Sequence, residues 1–189
     1  FHIRTAFAGW RAGILPVDAE LQISPGETMP IAPMLAAALA VNEAFAFVRS
    51  ARSASGRRPL GLSLWDPSPE ADWTVAGPHE PRLSYLPAQL WVLGLGHLGQ
   101  AFLWALGLLP YPDPSRCSLV LQDFDVITPA TESTSILTNA ALVGQKKTRA
   151  MAGWAERRGF ATAIYERPFD GNFIRRQDEP SVLFCGVDN

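Results

Sequence analysis

The chain has 189 residues, a formal net charge of -2 and a hydrophobic fraction of 48%. This length is enough to bury a core, and it corresponds to one domain or to one domain with an appendage. Acidic and basic residues are mixed along the chain, so neither a nucleic-acid-binding nor a membrane-binding surface is predicted. The two cysteines lie far apart without CxxC spacing. They indicate neither a disulfide framework nor a zinc site, and a reducing cytoplasm is the expected compartment.

Residues 1–88 are predicted to form an α+β appendage. Alternating apolar residues over 3–7 and 21–23 predict short strands, and an apolar run over 60–65 predicts one more. Residues 66–88 are rich in proline and acidic residues, and the prolines block regular structure. We therefore expect a linker there, between the appendage and a core that begins at residue 89.

An alanine-rich helix is predicted over residues 31–52, followed by a polar, basic turn over 50–58. Its apolar part is shorter than a bilayer span and contains Asn42 and Glu43, so a soluble protein is expected. Apolar residues recur at helical spacing on the face predicted to be buried: Met34, Ala38, Val41, Phe45 and Val48. We expect this face to pack on the core over 89–189, and a partner-binding helix is the alternative.

A glycine turn near the middle of the chain joins an apolar run to an almost wholly apolar helix. Leu90 to Leu93 predicts a buried strand, and Gly94, Gly96 and Gly99 follow it in a GxGxxG arrangement. In such a turn the three glycines permit a tight bend, close approach to a phosphate and close packing of the helix on its strand. Free N–H groups and the dipole at the helix start attract an anion. The turn predicts a nucleotide site; a chance glycine turn is the alternative.

The core over 89–189 is predicted to be α/β and Rossmann-like, with an open, mainly parallel sheet and helices on both faces. The predicted elements alternate in this order: strand 90–94, helix 98–109, strand 118–123, helix 144–158, strand 161–166 and strand 182–186. Asp123 ends the second strand and Asp125 follows it, at the carboxyl edge where ligands bind in open sheets. An acid at this position accepts hydrogen bonds from a ribose; a solvated turn is the alternative.

Four motifs in fixed order resemble the ThiF/MoeB/HesA superfamily, which contains the adenylating cores of ubiquitin-activating and sulfur-carrier-activating enzymes. The motifs are the Gly94 to Gly99 turn, Asp123 to Val126, Val143 to Lys147, and Val187 to Asn189. The resemblance covers about half of the chain. It implies that the glycine turn holds the phosphates of ATP, that Asp123 and Asp125 line the nucleotide site, and that Asp123 binds the ribose. It also implies that Lys147 reaches the phosphates and that Asp188 acts in catalysis and holds Mg2+.

The residues themselves also favour Lys147 over Lys146. Lys147 shares a helical stripe with Val143, Met151 and Trp154, so it is predicted to project from the packed face of the helix, with Lys146 turned toward solvent. A lysine that faces inward requires an anionic partner. The alternative is an amphipathic lysine whose stem covers the core.

The sequence departs from the superfamily at the arginine that contacts the triphosphate. Counted without a gap, Thr131 and Thr134 stand where the family has asparagine and arginine. A hydroxyl cannot replace bidentate recognition of phosphate by a guanidinium. Adenylation is therefore expected to be slow unless Arg116, Arg149 or an arginine from another subunit reaches the site.

The leading hypothesis is a protein that binds ATP and Mg2+ and adenylates the C-terminal carboxylate of a ubiquitin-like or sulfur-carrier protein. A non-catalytic ThiF-like binding or dimerisation module and an NAD-dependent oxidoreductase are the alternatives. The open sheet predicts a homodimer or a longer chain, since its edge would otherwise be unpaired. Cys185 is predicted to be a buried apolar residue, and Cys117 has no neighbouring base that would make it a nucleophile.

Overall fold

The computed structural model describes residues 1–49, 54–170, 174, 176–177 and 179–187. The chain divides into two compact units, Phe1–Ser84 and Tyr85–Asn189. The end of the helix predicted over 31–52 and the motif residues Asp188 and Asn189 lie outside the described residues.

The first unit contains an antiparallel sheet in the order β1-β2-β3. The strands are β1 (Ile3–Ala8), β2 (Arg11–Pro16) and β3 (Leu60–Ser63). The strand predicted over 21–23 is wrong. That segment is held instead by the Arg4 guanidinium, which donates to the carbonyls of Ala19 and Leu21, and by a single backbone hydrogen bond from Ser24. Short alternation alone does not form a strand when no neighbouring strand offers a ladder.

Helix α1 (Ala32–Arg49) packs on β1 and β2, so it covers the sheet of its own unit. The expectation that it packs on the core over 89–189 stays a prediction. The predicted buried face is wrong. Val41, Phe45 and Val48 are 70%, 63% and 84% exposed, whereas Ala32 and Ala36 are fully buried. The helix is apolar on several sides, and its small residues allow the closest approach to the sheet.

Glu43 marks the buried side of α1. Its carboxylate accepts a hydrogen bond of 2.7 Å from the Gly56 N–H and lies 3.5 Å from Arg58 Nη1. These partners allow an acid to be buried in a position that hydrophobic periodicity would not assign to it. With a mean hydropathy of 1.3, the 18 residues of α1 are long and apolar enough for a membrane span by length and composition alone.

The second unit contains a parallel sheet in the order β6-β5-β4-β7. Its strands are β4 (Gln89–Leu93), β5 (Ser118–Gln122), β6 (Ala161–Tyr165) and β7 (Val182–Cys185). Its helices are α2 (His97–Leu106), α3 (Pro129–Thr134) and α4 (Lys147–Glu156), with 3-10 turns at Pro114–Arg116 and Ala140–Leu142. The predicted fold class is confirmed: an α/β unit with an open parallel sheet, preceded by an α+β unit. The predicted placement of helices on both faces differs from the structure, because within the described residues α2 and α4 pack on the same face.

The two faces of the parallel sheet are covered differently. Helices α2 and α4 pack on one face and share one apolar cluster with it, which includes Leu90, Val92, Leu103, Leu121, Met151 and Trp154. Residues 166–170, which follow β6, contact the other face, where the Phe169 ring meets Trp91 edge-on and Gln122 Nε2 donates to the Arg167 carbonyl. The part of the connection from β6 to β7 that the structure describes contains no helix. Helix α2 connects β4 to β5, and α4 lies between β5 and β6, so both of these connections run over the same face of the sheet.

Candidate nucleotide site

The glycine turn after β4 is formed by three backbone segments in close contact. Gly94 has φ = +78°, a left-handed conformation that glycine adopts readily. A Cβ on Gly99 would lie 1.8 Å from the Gly94 carbonyl oxygen, so α2 requires glycine to sit this close to its strand. A Cβ on Gly186, just after β7, would lie 2.9 Å from the Gly99 nitrogen. The sequence analysis missed Gly186, although a glycine directly after an apolar strand is a signal for close backbone approach.

Gly96 begins α2 and faces open space. It is the N-cap residue, with φ -71° and ψ -163°, and no side-chain hydrogen bond caps the helix. A Cβ added to Gly96 would meet no atom within 4 Å. The fold itself therefore does not require glycine here, whereas a ligand that approaches the backbone would. The first N–H groups of a helix have no intrahelical partner and are suited to bind phosphate.

Asp123 follows β5 and is buried beside the glycine turn. Its Oδ2 accepts a hydrogen bond of 2.7 Å from the Leu95 N–H, and its Oδ1 accepts one of 2.8 Å from the Asp125 N–H. The first bond fixes the acid to the turn, and the second folds the chain back after the strand. A carboxylate has about four acceptor positions. Asp123 can therefore accept further donors, such as ribose hydroxyls.

A short antiparallel pairing brings Lys147 to the same edge of the sheet. The Ile127 N–H donates to the Gln145 carbonyl at 2.8 Å, and the Gly144 N–H donates to the Ile127 carbonyl at 2.8 Å. The Lys147 N–H then donates to the Asp125 carbonyl at 3.1 Å. The completely buried side chain of Ile127 anchors this pairing in the core. The first residue of α4 is thereby fixed beside the acids that follow β5.

The ammonium group of Lys147 lies between two carboxylates. Its Nζ is 2.9 Å from Asp125 Oδ2 and 3.9 Å from Asp123 Oδ2, and the residue is only 9% exposed. Lys146 is less buried, and its Nζ lies 2.5 Å from the Phe124 carbonyl oxygen. An ammonium has three N–H donors. Within the described residues the Lys147 ammonium makes one hydrogen bond, to Asp125, so two donors remain for an anion.

No residue considered for the missing arginine charge is placed to contact the triphosphate, because Thr134 and Arg149 are bonded to other groups and Arg116 lies at the other edge of the sheet. Thr134 ends α3, and its hydroxyl donates to the Ala130 carbonyl at 2.9 Å. Arg149 donates two hydrogen bonds of 2.8 and 3.0 Å to Glu166, and this pairing lowers the pKa of Glu166 and raises the pKa of Arg149. Arg116 precedes β5, so it lies at the amino edge of the sheet, at the other end of a strand about 16 Å long.

Neither cysteine has the environment of an activated nucleophile. The prediction that Cys185 is buried is wrong, because Cys185 is exposed on the edge strand β7. Cys117 is buried, its Sγ lies 3.8 Å from the Pro87 carbonyl oxygen, and burial raises the pKa of its thiol. A raised pKa lowers the thiolate fraction at neutral pH. Among the described residues, no group of three or more His, Cys, Asp and Glu is placed to hold a metal ion.

The chain matches two family models in sequence order. The model described as the BilD C-terminal domain matches residues 86–189, and the model described as the BilD N-terminal domain matches residues 1–64. The chain belongs to the BilD family. A BilD relative from Collimonas sp. (strain OK412), described as "Bacterial E1-like protein BilD", is 45% identical over 186 residues. This alignment covers 98% of the chain and 40% of the relative.

The description of that BilD relative as E1-like confirms the predicted superfamily at this coarser level. Solved structures also show similarity over part of the BilD chain. The crystal structure of E. coli MccB with ATP is 20% identical with a TM-score of 0.37, over 43% of this chain and 24% of that one. The crystal structure of the E. coli tRNA N6-threonylcarbamoyladenosine dehydratase TcdA is 20% identical with a TM-score of 0.35, over 42% of this chain and 32% of that one. Both alignments cover less than half of the chain.

Proposed function

We propose that the carboxyl edge of the parallel sheet binds ATP and that the protein adenylates the C-terminal carboxylate of a small ubiquitin-like or sulfur-carrier protein. In this reaction a carboxylate oxygen attacks the α-phosphorus, the bond between the α- and β-phosphates breaks, and pyrophosphate leaves. The site would act mainly by positioning the reactants and neutralising charge. Residues 89–189 form the nucleotide-binding core in this proposal, residues 1–88 are an appendage to it, and the protein acts in the cytoplasm.

The observation that carries the proposal is the placement of Lys147. Lys147, a residue that is only 9% exposed, holds its ammonium group near Asp123, which is itself bonded to the glycine turn at Leu95. Phosphates bound at the start of α2 would accept from the open backbone N–H groups there, and Lys147 retains donors for the same anion. Asp123 retains acceptor capacity for the ribose. Membership of the E1-like BilD family supports this assignment of roles.

Mg2+ is the metal that fits this donor set. Hard carboxylate oxygens and nucleotide phosphates are its usual ligands, and nucleotide sites hold it with one or two carboxylates. Carboxylates outnumber the single ammonium in the cluster of Asp123, Asp125 and Lys147, so a tetra-anionic nucleotide gains from a divalent cation there. Asp188 is the residue proposed to hold the ion, with roles in catalysis. Mg2+ would neutralise charge on the departing pyrophosphate.

A non-catalytic ThiF-like module is the second candidate, and a specific observation favours it. The Thr134 hydroxyl is bonded within its own helix, and the Arg149 guanidinium is bonded to Glu166. Arginines that stabilise phosphoryl transition states contribute roughly 10³ to 10⁵ in rate in other enzymes. In this candidate ATP binds but pyrophosphate exchange is very slow, and Thr134→Arg raises the exchange rate.

We also propose that the sheet is completed by a second subunit or by further sequence. In the described part of the chain, β7 pairs only with β4, and its Val182, Leu183 and Cys185 are exposed. An unpaired apolar edge of this kind promotes association. Equilibrium ultracentrifugation tests the homodimer. A stable monomer in dilute solution at micromolar concentration contradicts it.

Binding of Mg2+ and ATP, measured by titration calorimetry, tests the proposed site. We expect the parent protein to bind ATP, Lys147→Ala to bind it at least about tenfold more weakly, and the matched control Lys146→Ala to bind it like the parent. Titration with NAD under the same conditions separates an oxidoreductase from an adenylating protein. Equal ATP affinity for Lys147→Ala and the parent would remove the basis of the proposal.

The second experiment distinguishes the enzyme from the binding module. Pyrophosphate exchange into ATP is measured with ubiquitin-like proteins that end in a free carboxylate. Exchange that depends on the carrier and is lost in Lys147→Ala supports the enzyme. ATP binding without exchange, together with exchange gained in Thr134→Arg, supports the module.

A further inference from the structure

Gln100 is a polar residue on the buried side of an almost wholly apolar helix. It lies in the first turn of α2, four residues after Gly96, and it is completely buried. Its neighbours on the buried side of the helix are Leu103 and Leu106. A buried amide is favourable only when its donors and acceptor are bonded. The partners of Gln100 therefore explain why this residue type stands here.

The side-chain amide of Gln100 joins two loops. Its Nε2 donates to the Leu95 carbonyl at 3.1 Å, and its Oε1 accepts from the Leu137 N–H at 3.1 Å. A carbonyl can only accept and an N–H can only donate, so these two partners also fix which end of the amide is which. Methionine would fill a similar volume but would leave both backbone groups unsatisfied.

The peptide units on both sides of Leu95 are thereby held. The Leu95 N–H donates to Asp123 Oδ2, and the Leu95 carbonyl accepts from Gln100. Leu95 lies between Gly94 and Gly96, the two glycines of the turn with the greatest backbone freedom. Two buried hydrogen bonds in opposite directions thus set the orientation of a turn that glycine alone would leave adaptable.

The second loop follows α3. Leu137 comes three residues after Thr134, which stands where the ThiF/MoeB/HesA superfamily has its triphosphate-binding arginine. A continuous series of hydrogen bonds and one ion pair therefore connects this loop, through Gln100 and Leu95, to Asp123 and its neighbour Lys147. Each member of the series belongs to the second unit and lies within the described residues.

We infer that Gln100 is a positioning residue that holds the glycine turn and the loop after α3 in the arrangement that binds nucleotide. The inference rests on the proposed ATP site, which it deepens. Gln100 acts through the backbone of Leu95 and Leu137, so it lowers the cost of ordering the phosphate-binding N–H groups.

The test compares Gln100→Met with Leu106→Ala in the full chain. Both changes destabilise α2, but only the first removes the two hydrogen bonds. We expect Gln100→Met to bind Mg2+ and ATP about tenfold more weakly than the parent, and Leu106→Ala to bind like the parent. Gln100→Glu keeps an acceptor for Leu137 and loses the donor to Leu95. We expect it to weaken ATP binding while protecting the Leu137 amide from exchange.

Amide hydrogen exchange followed by NMR provides a readout that does not depend on ATP. In the parent the Leu137 N–H should be protected, and in Gln100→Met its exchange should accelerate at least about tenfold. The Ala161 N–H, bonded to the Cys117 carbonyl at the amino edge of the sheet, is the reference for general loosening. An unprotected Leu137 amide in the parent overturns the inference even if no variant folds.

The outcomes for the inference and for the ATP site are separable. If the parent binds no ATP, the proposed function fails, and exchange at Leu137 still decides whether Gln100 holds the two loops. If the parent binds ATP and Gln100→Met binds it equally well, the proposed function stands and the inference is wrong. The inference is also wrong if Leu106→Ala loses affinity as much as Gln100→Met.

Discussion

Within the described residues each unit of the chain buries one cation, and the two cations differ in their partners and in their access to solvent. Arg11 in β2 is 1% exposed, and its guanidinium lies 3.1 Å from Glu80, 3.1 Å from the Thr74 carbonyl and 3.0 Å from the Ser24 carbonyl. Lys147 in α4 contacts carboxylates alone, one of which, Asp125, has a side chain that is 51% exposed. Arg11 is closed off from solvent and joins the carbonyls of two loops to a carboxylate, whereas Lys147 lies at a sheet edge beside a carboxylate that is half exposed, where a ligand can reach it.

The carboxylates beside the two cations also differ in their exposure to solvent. Glu80 is nearly buried and also accepts from the Trp10 N–H, so the Arg11 centre connects the sheet to two loops with no accessible donor. The Lys147 centre is connected through Asp123 to Leu95, the residue before Gly96, where the backbone of the helix start is open. Burial of charge alone therefore does not indicate function. Access to solvent at the edge of the sheet distinguishes the two centres.

The largest expected effect comes from removal of Arg11. Arg11→Met leaves Glu80 buried without its ion pair, and it leaves the Ser24 carbonyl without its guanidinium donor. The Thr74 carbonyl keeps only the hydrogen bond from the Ser24 N–H. Breaking a buried pair in this way costs about 3–5 kcal/mol. Urea unfolding followed by tryptophan fluorescence measures the change. Arg57→Met, at an exposed arginine, is the control and should change the free energy of unfolding by less than about 0.5 kcal/mol.

Two glycines of the second unit give the next largest contrast. Gly99→Ala would place a Cβ 1.8 Å from the Gly94 carbonyl oxygen, so the helix and strand must separate. We expect a loss of about 2–4 kcal/mol in the free energy of unfolding. Gly96→Ala meets no atom within 4 Å and has an extended backbone. It should change stability by less than about 1 kcal/mol and weaken ATP binding. Equal destabilisation by the two changes would contradict the distinct roles given to these glycines.

Much of this unit could be predicted from the sequence because its signals are local. The glycine spacing, the acid at the end of β5 and the stripe that turns Lys147 inward are properties of one strand or one helix. The orientation of Lys147 follows from its spacing to Met151 and Trp154, and both of these residues are buried. Val143, the other predicted member of the stripe, precedes α4 and is exposed. Periodicity identifies such a face when the opposite side of the helix is polar.

The features that the sequence did not reveal depend on distant partners. Helix α1 is apolar on several sides, so spacing could not select its small-residue face over the side with Phe45. Glu43 is buried because Gly56 and Arg58 meet it. Arg149 is unavailable to phosphate because Glu166 lies beside it. Gln100 could have been noticed, since a single amide in an apolar helix requires a partner, but its two partners are set by tertiary structure.

The comparison of the two cations predicts a smaller effect for Lys147 than for Arg11. Lys147→Met leaves Asp123 with its two backbone hydrogen bonds and leaves Asp125 largely in water. We expect the free energy of unfolding to fall by about 1 kcal/mol, measured by urea unfolding beside Lys146→Met. The same variant should show the loss of ATP affinity proposed above. A loss of stability as large as that of Arg11→Met would mean that Lys147 is mainly structural.

The smallest effect is expected at a third cation, Arg149, whose side chain is 66% exposed and pairs with Glu166. Exposed ion pairs contribute little because both groups are solvated and held at an entropic cost. The pairing nevertheless lowers the pKa of Glu166, chiefly through the hydrogen bonds from Arg149. The folded state therefore binds the Glu166 proton less readily than the unfolded state does. Any stabilisation is present above the ordinary glutamate pKa and is lost as pH falls through the lowered value.

Melting temperatures of the parent and Arg149→Met, measured from pH 7 downward, should differ slightly at neutral pH and converge in acid. Glu156→Gln, at another exposed acid of this unit, is the control for general acid effects. A difference that grows as the pH falls would show that Arg149 stabilises the fold through some group other than Glu166.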